Sequence, residues 1–251
     1  MTTIDLNCDM GELKVGQVRN FDAEIMPYIS SCNIACGFHS GSPLLIEQTI
    51  QCAIIHGVKI GAHPSYNDWE NFGRQTLVVK RAVLLAELRY QIAALKGMVE
   101  SLGQQLYHVK AHGALYNDLL KDDALAEDFV LLVKTIDPQL RILSLAHSNV
   151  IDYCEKHGMR YLREGFADRR YETQTALLSR AFTDAVLHQP KDVLQQIDGF
   201  LGGKVELVNG QQESIKVDSI CLHSDTSGAV ALSKTIHQYL TDQAIQIQAI
   251  A

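Results

Sequence analysis

Apolar and polar residues alternate along "IDLNCDMGEL" (residues 4–13), with Ile4, Leu6 and Cys8 in one phase and Asp5, Asn7 and Asp9 in the other. A period of two predicts a strand with distinct faces. Strand-like runs fall near residues 3–8, 31–36, 58–63, 106–111, 141–147, 160–166 and 219–224, most of them separated by stretches of helical period. This is a β/α alternation. One helix opens at "SGSPLLIEQ", with Ser42 as N-cap and Pro43 at its first position, and stops at Gly57. A longer one runs from about Lys80 to Leu102. It carries Leu84, Leu88, Ile92, Leu95 and Val99 at three- and four-residue steps before Gly103, so that face is expected to pack on the sheet. In "VELVNGQQESIKV" two β-type runs flank Asn209-Gly210, which predicts a hairpin inserted near 204–217 before the last strand. No repeat or linker divides the chain, so a single domain over 1–251 is expected.

Seven strand–helix units fit either a closed barrel or an open doubly wound sheet. The polar phase separates these two. Taken alone, the polar face of the first strand fits an edge strand facing water. It recurs, however, in "YHVKAHGALYN", where His108, Lys110 and His112 share one phase, and in "SICLHSDT", where Cys221, His223 and Asp225 do. Helix-covered parallel strands are apolar on both faces, so a recurring polar phase points to a shared lumen and hence to a barrel rather than an open sheet. Barrel chemistry gathers at the C-terminal ends of the strands. The conspicuous polar residues lie late in their runs: Asp9, Glu12, His39, His63, Lys110, His112, Glu164, Asp168, His223 and Asp225.

Composition narrows the function. The 251 residues are 47% hydrophobic, enough for a full core, and the formal charge of −7 without a Lys/Arg run excludes a nucleic-acid footprint. The apolar stretches are too short or too charged to span a bilayer and no leader pattern precedes the first strand, so a soluble, cytoplasmic protein is expected. Six cysteines without a Cys-x-x-Cys pair read as reduced core residues. Cys36, the one candidate nucleophile, is left outside the site.

Six blocks in order, "DLNCDMGE", "NIACGFHSG", "GAHPSYNDWENFGRQ", "VKAHGALYN", "EGFADRRY" and "ICLHSDT", cover almost the whole chain. On these the sequence resembles the LamB/YcsF family, the family of the A subunit of ATP-hydrolysing 5-oxoprolinase. The resemblance implies a distorted seven-stranded β/α (TIM-like) barrel similar to those of glycoside hydrolases and polysaccharide deacetylases. It also implies work with separate B and C subunits to open 5-oxoproline (pyroglutamate) to L-glutamate. The chain departs from the family pattern at Ser40-Gly41-Ser42-Pro43, Ala111, Gln75 and Ser224. Gln75 removes a positive charge, and Ser224 adds a side chain beside His223.

The chain holds no G-x-x-x-x-G-K-[ST] cradle; "GFLGGKV" has Val205 in the Ser/Thr place, so ATP is assigned mainly to the partner subunits. What remains is to direct water at an activated ring carbon. That needs a base, support for the developing anion and a grip on the substrate carboxylate. Asp9 or a nearby histidine, His39 or His63, is the candidate base, and Lys110 and His112 are candidates for anion support. Arg169 or Arg170 is the carboxylate grip, unless Asp168, Arg169 and Arg170 form a surface ion-pair cluster. Asp225 completes the catalytic set; Asn7, Glu12, Glu164, Asp168 and His223 complete the substrate set.

Two other functions fit the same residues: a metal-dependent, deacetylase-like hydrolase of a carbohydrate or other amide, and a non-catalytic binding subunit. For a divalent metal the candidate ligands are Asp9, His39 and His63. His108-x-x-x-His112 is not a chelating pair, because four residues of strand span about 13 Å.

Overall fold

The alternating runs become the parallel strands β1 (Thr3–Met10), β2 (Ser31–Ala35), β3 (Lys59–His63), β4 (His108–Val109), β5 (Arg141–Leu145) and β6 (Arg160–Phe166). Two antiparallel ribbons follow, β7 (Tyr171–Thr173) with β8 (Ala176–Leu177) and β9 (Lys204–Glu206) with β10 (Gln212–Ser214), and then β11 (Ser219–His223) and β12 (Gln246–Ile247). β1 to β6 pair in chain order, and β11 joins β6 to β1, so seven strands close a parallel barrel. β12 pairs only with Thr3 and Ile4 at the base of β1. This computed structural model describes residues 2–13, 21–223 and 228–250.

The helices are α1 (Asp22–Ile25), α2 (Pro43–His56), α3 (Arg81–Ser101), α4 (Gly113–Leu119), α5 (Asp123–Ile136), α6 (Asn149–His157), α7 (Pro190–Leu201) and α8 (Ala229–Asp242). α2 has the predicted ends: Ser42 Oγ accepts from the Leu45 amide at 3.2 Å, and Gly57 is left-handed. In α3 the predicted stripe Leu84, Leu88, Ile92, Leu95 and Val99 is buried. The predicted hairpin is β9–β10, its turn at Asn209-Gly210 closed by Leu207 N–H to Gln211 O at 2.8 Å. β4 is shorter than the run that predicted it. Bonding to β3 nonetheless continues from Tyr107 N to Ile60 O at 2.8 Å as far as His112 N to Pro64 O at 2.9 Å.

The lumen is a stack of polar layers inside an apolar shell. At the floor Asp5 is fully buried and accepts from Ser30 at 2.6 Å, Ser31 at 2.8 Å and Ser219, tying β1 to its neighbours. Burial raises its carboxyl above the usual range against the pull of those hydroxyls. One layer up, Asn33 donates to Asn7 Oδ1 and to Asp9 Oδ1, both at 2.8 Å. Its Oδ1 must therefore accept from His108 Nε2 at 2.5 Å, which assigns that ring its proton. Burial, with Lys110 adding to it, pushes His108 down to about 3, so the ring is neutral. Gly61 makes room for it: a Cβ there would lie 2.1 Å from His108 Nε2. His108 thus sits on Asn33, a layer below His112, as strand geometry requires.

Candidate active site at the barrel mouth

The top layer begins with Asp9, near the end of β1 and in register with Asn33 on one side and His223 on the other. Its Oδ1 accepts from Asn33 and, at 3.0 Å, from Lys110 Nζ, while Oδ2 lies 3.3 Å from His63 Nε2. Lys110 is 2% exposed and also reaches Glu164 Oε1 at 2.8 Å and Cys221 Sγ at 3.1 Å. Burial works against its charge, but Asp9, Cys221 and Glu164 outweigh it and hold the ammonium well above the ordinary lysine range. These contacts brace Asp9 from below.

After β1 the chain turns at Gly11, whose amide donates to Asp22 Oδ2 at 2.8 Å, and this carries Glu12 over the lumen. Glu12 Oε1 lies 3.0 Å from His39 Nε2, 3.4 Å from His112 Nδ1 and 4.0 Å from His63 Nε2. The three histidines pack as a unit, His39 stacked on His112 with ring centres 3.7 Å apart and His63 edge-on to both. Burial, then the neighbouring imidazole, lowers His39 and His112 well below the ordinary value. Burial acts the same way on His63, but Asp9 overrides it and raises that ring.

Backbone carbonyls aim two of these rings. His63 Nδ1 donates to Lys110 O at 2.7 Å, and His112 Nε2 donates to Phe72 O at 2.8 Å. Phe72 has a left-handed φ of 56°, strained for a residue with a side chain. Gly73 next to it lets the loop press on the histidines, since a Cβ there would come within 2.9 Å of both His39 and His112.

Asp9, His63, Lys110 and His112 open on a cavity of about 700 Å³, also lined by Arg74, Tyr116, Arg169 and Arg180. Arg169 is 8% exposed and donates to Leu178 O at 2.6 Å. Burial, followed by Arg180, pushes it down to about 10, so it remains a cation. Gln196 of α7 fixes the turn that carries it, donating to the carbonyls of Phe166, Ala167 and Arg169 at 2.6, 3.1 and 2.8 Å.

Other sequence assignments take different places. Asn7 is fully buried below Lys110, and Glu164 is fully buried behind it, bonded also by Tyr116 at 2.9 Å; neither lines the cavity. Arg170 is exposed and faces a separate outer cavity beside α7 and β9. Asp168 and Arg169 are buried, so the three do not form a surface ion-pair cluster. Gln75 is exposed and bonds Asn71 at 3.0 Å, so its missing charge does not face the site. His223 ends β11, and Ser224 and Asp225 lie outside the described residues. All six cysteines are free thiols, and burial pushes Cys36 up to about 12, a poor nucleophile.

Among the described residues, one group has the donor set for a metal: Asp9, Glu12, His63 and His112, all buried, with ligand atoms within 4.8 Å of one another. His39, a ligand candidate on sequence grounds, stands behind Glu12 instead. No helix among the described residues is long and apolar enough to cross a membrane.

Comparison with known proteins agrees with this architecture. The chain is 41% identical over 251 residues to the 5-oxoprolinase A subunit of Geobacillus thermodenitrificans, covering 100% of this chain and 98% of that one. It is 38% identical to the protein of the same name from Tolumonas auensis, over the full length of both. The crystal structure of a lactam utilization protein from Thermus thermophilus superposes with a TM-score of 0.92 at 32% identity, covering 99% of this chain and 100% of that one. A putative cellobiose-phosphate cleavage protein from Enterococcus faecalis shares the fold, with a TM-score of 0.58 at 14% identity over 98% of this chain and 96% of that one. The LamB/YcsF family profile matches residues 4–251, and the chain belongs to that family.

Proposed function

We propose that the chain is the A subunit of an ATP-dependent 5-oxoprolinase, opening 5-oxo-L-proline to L-glutamate together with separate B and C subunits. The observation that carries this reading is the buried Asp9–Glu12–His63–His112 cluster at the wall of a cavity that also holds Arg169. It occurs in a chain 41% identical, end to end, to a protein of that name.

An unstrained lactam resists hydrolysis, which is why the reaction couples to ATP. Once the lactam oxygen is phosphorylated, water must be directed at the ring carbon and its proton accepted; collapse of the adduct breaks the ring C–N bond, the nitrogen takes up a proton, and a second water releases phosphate from the acyl phosphate. Asp9, fixed by Lys110 and Asn33, is the proton acceptor. The substrate brings a carboxylate, and Arg169 is the buried cation that meets it. ATP is handled mainly by the partners. In this chain the segment nearest to a phosphate loop, Gly199–Val205, leaves the C-terminal end of α7 and enters β9, the reverse of a loop that cradles phosphate at a helix N-terminus. With ATP as co-substrate, the place of action is the cytoplasm.

The test is glutamate release from 5-oxoproline and ATP with this chain alone, with B and C alone, and with all three. Activity is expected only from the three together. ATP-dependent release by the isolated chain, or by B and C without it, overturns the proposal.

A further inference from the structure

The two cavity-lining imidazoles are held so that their remaining nitrogens meet. His63 Nδ1 and His112 Nε2 each lie on a backbone carbonyl, at 2.7 and 2.8 Å, so both carry protons. In the neutral rings, His63 Nε2 and His112 Nδ1 are then bare lone pairs, and they face each other at 3.1 Å. Asp9 Oδ2 lies 3.3 Å from the first and Glu12 Oε1 3.4 Å from the second. Four electron-pair donors from three segments of chain thus converge on one point. A proton on His63 answers one of these approaches; a divalent cation answers all four.

We infer that Asp9, Glu12, His63 and His112 form a binding site for one divalent transition-metal ion. Ligands about 2.1 Å from a tetrahedral ion lie about 3.4 Å apart. Four of the six separations within the cluster are 3.1, 3.3, 3.4 and 4.0 Å and all six lie within 4.8 Å, so a modest contraction brings the ligands to that spacing. Imidazole with carboxylate favours zinc, iron or nickel over magnesium or calcium. An outer shell is already built, as metal-bound histidines require: carbonyls on both rings, His39 on Glu12, and Lys110 and Asn33 on Asp9. Asp9, His63 and His112 line the cavity, which gives the ion a way in and a substrate a way to it. Its catalytic use rests on the proposed lactam chemistry, where expansion to a fifth coordination position would let it support the developing anion. Its existence does not depend on that chemistry.

The experiment uses the intact chain, stripped with chelator and dialysed, then titrated with Zn²⁺ and, separately, Co²⁺. One Zn²⁺ per chain is expected by calorimetry and elemental analysis. The Co²⁺ form is expected to show the visible absorption of a four-coordinate nitrogen–oxygen site, a readout that needs no variant to fold. His63→Ala and His112→Ala should each weaken Zn²⁺ binding at least about 10-fold, whereas His188→Ala, at an exposed histidine, should not. Absence of the Co²⁺ band, or equal Zn²⁺ binding by folded His63→Ala, His112→Ala and parent, overturns the site. Metal binding without glutamate release from the three-subunit mixture keeps the site and removes the lactam reading.

Discussion

Replacing Lys110 with methionine preserves the stem and deletes the charge that Asp9 and Glu164 share at 3.0 and 2.8 Å. Both carboxylates are buried. Breaking a buried ion pair on one side costs about 3–5 kcal/mol, most of it the exposure of uncompensated charge to a low-dielectric interior. For a chain of this size that corresponds to a melting point lower by about 6–20 °C. Lys110→Met/Glu164→Gln, with one carboxylate gone, should recover about 0.5–3 kcal/mol. Turnover in the three-subunit complex should fall about 10²–10³-fold, because Asp9 is no longer held. Thermal melts with parallel glutamate assays read all of this. A Lys110→Met chain that melts within about 2 °C of its parent and turns over normally refutes the role given to the Asp9–Lys110–Glu164 bridge.

Other residues make separate predictions. Asp5→Asn should keep turnover, since Asp5 lies on the barrel floor. Its carboxyl is raised from 3.8 by burial, so it favours the folded state fully below 3.8 and loses that contribution as pH rises through its folded value; the variant should lack this component in a pH series of melts, and an inactive but stable Asp5→Asn would contradict the assignment. Gly61→Ala drives a Cβ into His108 and should destabilise by about 1–3 kcal/mol or more, with His108→Ala in the same chain restoring part of it; parent-like stability of Gly61→Ala would show that the ring yields freely. Arg169→Lys should raise the KM for 5-oxoproline about 10- to 100-fold with a smaller effect on kcat, and an unchanged KM would remove the carboxylate grip.

Much of this was legible because strand period is a strong signal. The alternation of Asp5, Asn7 and Asp9 placed three side chains in one lumen, and the rule that barrel chemistry sits at strand ends separated Asp9 from Asp5. The same phase was present in "SCNIA", where Ser31 and Asn33 point inward, but Cys32, Ile34 and Ala35 made the run read as apolar and Asn33 was missed. Cys221 reads as core in the sequence, yet it pairs in register with the inward-facing Asn7 and its thiol meets Lys110. What the sequence did not carry was contact between distant elements. Tyr116 reaches Glu164 from α4, Gln196 holds the Arg169 turn from α7, and Phe72 takes a left-handed backbone to receive His112. None of these has a local pattern. The surroundings of Lys110, with Asp9, Glu164 and Cys221 within 3.1 Å of Nζ, are likewise visible only in the fold.

The central claim is that ring opening happens at Asp9 in this chain, and Asp9→Asn tests it most directly. The substitution is nearly isosteric and retains an acceptor for Lys110, so the chain should fold and assemble with its B and C partners. In that complex, with 5-oxoproline and ATP supplied, glutamate release should fall by about 10²–10⁴-fold, the contribution of a positioned general base. An assembled Asp9→Asn complex that releases glutamate at the parent rate would contradict the account.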